Sequence, residues 1–136
     1  MAECCCGNER LRLIYPCSGG ADVGALSDRT ARKLVKEGYG KMSCLAGVEA
    51  DISGFTASAR DAELNLTIDC CSMRWAAKNF ENRGIKPFSL ILTEMGFTKG
   101  NTEVNDSTIE TAFAILKKEL KKMKINTTTT SPDDYC

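Results

Sequence analysis

The chain predicts an α/β protein of three layers, with about four mostly parallel strands and helices on both faces. Three observations lead there. Leu64-Asn65-Leu66-Thr67-Ile68 alternates with the period of a strand, and from Ser72 the apolar spacing changes to Met73, Ala76, Ala77 and Phe80, which is helical. Phe88-Ser89-Leu90-Ile91-Leu92 is nearly continuous in apolar residues, as in a strand buried on both faces of a parallel sheet. Strands and helices alternate along the chain, which calls for right-handed crossovers and a sheet covered on both sides.

In chain order, residues 1–9 read as a flexible, cysteine-rich lead-in, and a single domain is expected over residues 10–125. Leu11, Leu13, Ile14 and Tyr15 make the first strand, closed by Pro16 and Cys17. Ser18-Gly19-Gly20 is a loop that turns sharply. Asp22 is placed to cap a helix on which Val23, Leu26, Thr30, Leu34 and Val35 repeat at helical spacing, with Gly38 as its stop. The stretch from Lys41 through Cys44 to Val48 reads as a short strand or a loop. A short helix opens at Ser53-Gly54-Phe55 and runs to Arg60, ahead of the strand at Leu64. The helix after Cys71 ends at Gly84, and Pro87 precedes the buried strand. Gly96 and Gly100 mark the loop beyond. Ser107 and Glu110 form a capping-box pattern before Ile109, Ala112, Phe113, Leu116, Leu120 and Met123. Residues 126–136 lack periodicity and are expected to be disordered.

Composition narrows the function. The 136 residues carry 18 basic and 18 acidic side chains, so no bulk charge draws the protein to nucleic acid or to a membrane surface. The lysine-rich segment from Lys117 to Lys124 suits the C-terminal end of a helix and reads as a solvated face. No run approaches the ~20 apolar residues that span a bilayer. There is no histidine, so a metal site must be built from cysteine and carboxylate. Eight cysteines follow an acidic N-terminus without a secretory apolar core, which suggests a cytoplasmic protein whose thiols are ligands or redox groups.

The cysteines stand where such a fold places ligands. Asp69, Cys70 and Cys71 occupy the turn from a strand end into a helix, and Cys17 follows the first strand. Ligands of open α/β sheets sit at the carboxyl ends of strands. Cys17, Cys71 and Cys44 are therefore expected to converge at one crevice, where a helix N-terminus favours a thiolate.

The residues Tyr15-Pro16-Cys17-Ser18-Gly19, Ser27-Asp28-Arg29, the block 37–47 ending Lys41-Met42-Ser43-Cys44-Leu45-Ala46-Gly47, and Ile68-Asp69-Cys70-Cys71 resemble the DGC-domain family. These small proteins are named for a central Asp-Gly-Cys motif, and the resemblance covers roughly residues 11–99. It implies a zinc site whose proposed ligands are four cysteines. Three carry over: Cys17, Cys44 and Cys71. The family's fourth cysteine, four residues after that of the motif, is replaced here by Trp75, and the motif's glycine by Cys70. The fourth corner is then Cys70, a carboxylate such as Asp22 or Asp69, or water. Asp69 alternatively caps the following helix, and Trp75 fills the volume of the missing cysteine. The resemblance lends a site but no reaction.

The expected cofactor is Zn2+, held by Cys17, Cys44, Cys71 and Cys70, and the expected partners are the metal ion and a protein client. A thiol-dependent redox or sulfur-transfer enzyme using the same cysteines is the alternative. Phosphatase chemistry is disfavoured, because the arginine such a loop needs six residues after Cys17 is Val23. A Cys-x-x-Cys pair is absent at Cys71. The triplet Cys4-Cys5-Cys6 precedes the first strand, at the wrong end to complete the site, and reads as an accessory cluster.

Overall fold

The computed structural model describes residues 11–127. The expected lead-in with its cysteine triplet, and all but Asn126 and Thr127 of the expected tail, lie outside those residues. Four strands, β1 (Arg12–Pro16), β2 (Lys41–Met42), β3 (Leu64–Asp69) and β4 (Phe88–Ile91), form one sheet in the order β2-β1-β3-β4. Every pairing is parallel, with Tyr15 opposite Thr67, Pro16 opposite Ile68 and Ile68 opposite Leu90. The helices are α1 (Asp22–Lys36), α2 (Leu45–Glu49), α3 (Ser53–Asp61), α4 (Trp75–Glu81) and α5 (Asp106–Lys122), with a 3-10 turn at Leu92–Met95.

The two-residue period of the strands divides the core. Ile14, Leu66, Ile68 and Leu90 pack on Leu26 and Leu34 of α1 and Leu116 and Leu120 of α5. Leu13 and Tyr15 pack on Val48, Ala59 and Phe80, from α2, α3 and α4. Tyr15 meets Phe80 edge to face, with centroids 4.6 Å apart. The three layers follow from this alternation. Each fully buried Val, Leu, Ile or Phe contributes about 1.5–3 kcal/mol; most lie on the α1 and α5 face, and Val48 and Phe80 lie on the other.

Local details depart from expectation in four places. Asp22 is the first helical residue of α1 rather than its cap, which is Ala21. Asp106 opens α5 and Asn105 caps it: Thr108 N–H donates to Asn105 Oδ1 and Asn105 N–H to Thr108 Oγ1, each at 2.9 Å. Ser107 and Glu110 lie inside that helix, where Glu110 pairs with Lys33 at 2.7 Å. The stretch from Lys41 to Val48, expected as a short strand or a loop, is a two-residue strand followed by the unforeseen start of α2, with Cys44 at its N-cap. Finally, α4 begins at Trp75 rather than Ser72, because residues 71–74 make a turn that ends with Arg74 in the left-handed region, at φ 52°.

Candidate functional site

Strand order fixes the crevice. The chain leaves β1 for α1 on one face of the sheet and leaves β3 for α4 on the other, so the two exits diverge. Such a switch point opens a crevice at the carboxyl ends of the two strands. Cys17 follows β1 there, its N–H bonded to the Ile68 carbonyl at 2.8 Å, and Cys70 follows β3.

Their sulfurs are in contact. Cys17 Sγ lies 3.5 Å from Cys70 Sγ, and Cys70 Sγ lies 3.8 Å from Cys71 Sγ. Cys17 and Cys70 are buried with Val23 and Ala76 around them, and Cys71 is half-buried at the edge of this cluster. Burial, then the neighbouring Cys17 and Cys71 thiols, push the Cys70 thiol up to about 12. Adding negative charge among three sulfurs in an apolar pocket is unfavourable until a cation compensates it.

Helix α1 holds the β1 exit in place. Ser27 Oγ donates to the Ile68 carbonyl at 2.6 Å, tying α1 to the end of β3. The loop Ser18-Gly19-Gly20 lies directly on the first turn of α1: a Cβ on Gly24 would fall 2.3 Å from the Gly19 carbonyl oxygen. Only glycine permits that approach. Asp28 accepts from Ser18 Oγ at 3.3 Å and from Arg32 Nε at 2.8 Å, bracing the outer lip.

The two carboxylates weighed as a fourth ligand are engaged elsewhere. Asp69 is fully buried and accepts from the N–H groups of Ala76 at 2.8 Å and Ala77 at 3.1 Å, so it caps α4 across the intervening turn. Ser89 Oγ donates to the same carboxylate at 3.3 Å. Burial nevertheless raises its pKa, with the hydrogen bonds opposing. Asp22 accepts from the N–H groups of Val23, Gly100 and Thr102 at 2.7–2.9 Å, fastening the loop after β4 to the start of α1. The Gly100 and Thr102 amides lower its pKa.

Cys44 stands apart. It is exposed at the start of α2 and lines a broad cleft of about 1220 Å³ with Pro16, Ser18, Phe55, Met73 and Trp75. Trp75 does not fill the volume of a missing cysteine. At the first position of α4 it projects into that cleft, 66% exposed, while Ala76 and Ala77 turn inward. Among the described residues, no group of three or more cysteine or carboxylate side chains is gathered to hold a metal ion. The chain brings Cys17, Cys70 and Cys71 into one run of sulfurs and leaves Cys44 on the neighbouring wall.

The inward role of Cys70 is the feature that motif matching obscured, since it occupies the motif's glycine position. Cys70 continues the Leu66 and Ile68 parity one residue past the end of β3, but Asn65, Thr67 and Asp69 are buried as well, so parity does not mark it as the inner thiol.

A parallel, doubly wound sheet with thiols at its switch point defines a small α/β protein with a cysteine-based site. The DGC domain profile matches residues 13–116, and the chain belongs to that family. It is 30% identical over 93 residues to the anaerobic and virulence modulator AnvM of Pseudomonas aeruginosa, a match covering 68% of this chain and 71% of that protein. No solved structure matches the chain. No described helix is long and apolar enough to cross a membrane.

Proposed function

We propose that this DGC-domain protein binds a soft divalent metal, zinc in the first instance, in the cytoplasm. The ligands are Cys17, Cys70 and Cys71, and Cys44 or water takes the remaining corner. One observation carries the reading. Sulfurs on a tetrahedral zinc with 2.3 Å bonds lie ~3.8 Å apart, and the Cys70 sulfur has a neighbour at 3.5 Å on one side and 3.8 Å on the other. Because no three-ligand group is preformed among the described residues, the side chains must close in around the ion as it binds. The donor set has the right chemistry, because thiolates favour zinc and other soft metals. Asp22 and Asp69 are withdrawn from it by their backbone partners. Binding would displace the thiol protons, so uptake falls at low pH. A protein client that receives or senses the metal fits a cleft with Cys44 on its wall.

The test is elemental analysis of protein purified without added metal, alongside single Cys17→Ser, Cys44→Ser, Cys70→Ser and Cys71→Ser variants. Zinc that co-purifies and is lost on replacing Cys17, Cys70 or Cys71 supports the reading. A wild type without metal, carrying one thiol that alkylates near neutral pH far faster than the others, would overturn it in favour of thiol-redox or sulfur-transfer chemistry.

A further inference from the structure

We infer that Cys17 and Cys70 form a redox modification site, closing into an intramolecular disulfide under a peroxide-class oxidant. The inference deepens the metal reading, for it would make metal capture depend on redox state. Cys17 and Cys70 sit one residue apart in register at the ends of adjacent strands, since Pro16 is opposite Ile68. Neighbouring strands lie ~4.8 Å apart and one residue of rise adds ~3.3 Å along the strand, about 5.8 Å in all, within the roughly 4.4–6.8 Å of Cα separation that a disulfide spans. The sulfurs already lie 3.5 Å apart, and a disulfide brings them to about 2.05 Å. Cys71 touches Cys70 as well, at 3.8 Å, but it is the next residue in the chain. A bond between adjacent residues strains the intervening peptide, whereas the cross-strand pair does not meet that constraint.

The step balances without a further reactant. Cys17, which has one sulfur neighbour where Cys70 has two, is oxidised by hydrogen peroxide to a sulfenic acid, releasing one water. The second thiol attacks that sulfur, the S–S bond forms, and the hydroxyl leaves with the thiol proton as a second water. Peroxide is small enough for a pocket in which Cys17 and Cys70 are nearly covered. The disulfide removes two donors from the metal set, so an oxidised chain holds no zinc and a reduced one regains it.

The experiment treats metal-free, full-length protein with hydrogen peroxide, then maps tryptic peptides without reduction and measures zinc uptake. The peptide containing Cys17 should be joined to that containing Cys70 and Cys71. The link should persist in Cys71→Ser and vanish in Cys70→Ser, with circular dichroism confirming that both variants are folded. Zinc uptake should be lost on oxidation and restored by dithiothreitol. A link that survives unchanged in Cys70→Ser, or Cys17 over-oxidised to sulfinic acid with no link, overturns the inference. The two readings separate cleanly. If the link forms but reduced protein never binds zinc, the metal reading alone falls. If zinc binds and no link forms, the disulfide alone falls.

Discussion

Replacing Asp69 by alanine tests how the site is held together. Its carboxylate receives the Ala76 and Ala77 N–H groups from inside the fold, at 2.8 and 3.1 Å. A hydrogen bond to a charged group contributes about 1.5–3 kcal/mol, and a buried donor left without a partner costs about 1–3 kcal/mol. Burying the carboxylate offsets part of this, as its raised pKa records. The expected net loss is about 2–4 kcal/mol, at or above the top of the range for loss of a helix cap. With a urea m-value of about 2 kcal/mol/M, the middle of the range for a small domain, the midpoint should fall by roughly 1–2 M. Asp69→Asn keeps one acceptor oxygen and should lose about half as much by the same reckoning. The pH dependence carries a sign. A carboxyl whose folded pKa is raised above the ordinary 3.8 contributes stability that is present at low pH and lost as pH rises through the folded pKa. The gap between wild type and Asp69→Asn should therefore be wider in acid and narrow toward neutrality. Urea titrations at a series of pH values read both effects. An Asp69→Ala variant within about 0.5 kcal/mol of wild type would refute the idea that this side chain anchors α4.

Three further outcomes are expected. Gly24→Ala forces a Cβ to within 2.3 Å of the Gly19 carbonyl, and should cost about 1–3 kcal/mol as the loop beside Cys17 shifts; an unchanged urea midpoint would contradict that contact. Asn105→Ala removes a reciprocal cap from α5 and should lower stability by about 1 kcal/mol in thermal or urea unfolding, with no effect on the thiols. Asp22 has the opposite sign to Asp69: its pKa is lowered, so its contribution is present above 3.8 and is lost as pH falls through the lower folded value. Hydrogen exchange should show the Gly100 and Thr102 amides losing protection in Asp22→Asn, and protection that survives would show that other contacts hold the loop.

Much of this fold was legible because burial on a parallel sheet writes a plain pattern. The Leu64–Asp69 alternation, the continuous apolar run at Phe88 and the helical stripe of α5 each match the element that forms. What escaped were features set by polar contacts over short distances. Asp69 was readable as the cap of the following helix, but nothing in a 3.6-residue period says that it acts across a turn from seven residues upstream of Ala76, so the helix start was placed three residues early. Asn105 competed with Ser107 for the cap of α5 and won because Thr108 reciprocates. At the site, Cys17 and the strand-end position of Cys70 and Cys71 were readable. Their order of depth was not, because depth depends on the turn that Arg74 completes in the left-handed region.

The two departures from the family pattern belong together. A cysteine at position 75 would project from the first residue of α4 into the cleft, toward the wall that carries Cys44. The family's arrangement would then bridge the α2 and α4 sides of that opening. This chain puts Trp75 there instead, an exposed aromatic surface with Met73 beside it. Its extra sulfur comes at Cys70, on the inner side, 3.5 Å from Cys17. Against the motif that the resemblance implies, with glycine at 70 and cysteine at 75, this chain has its extra thiol at the closed end of the crevice and none at the cleft position of Trp75. A buried dithiol results, with Cys71 at its edge, while Cys44 loses the neighbour it would have had across the cleft. A sulfur returned to position 75 would restore that neighbour. Trp75→Cys in a Cys70→Gly background should accordingly raise the zinc requirement for Cys44, read as a steeper loss of bound metal in Cys44→Ser than the same substitution causes in the parent chain. Equal losses in the two backgrounds would show that Cys44 does not face position 75 in the metal-bound protein.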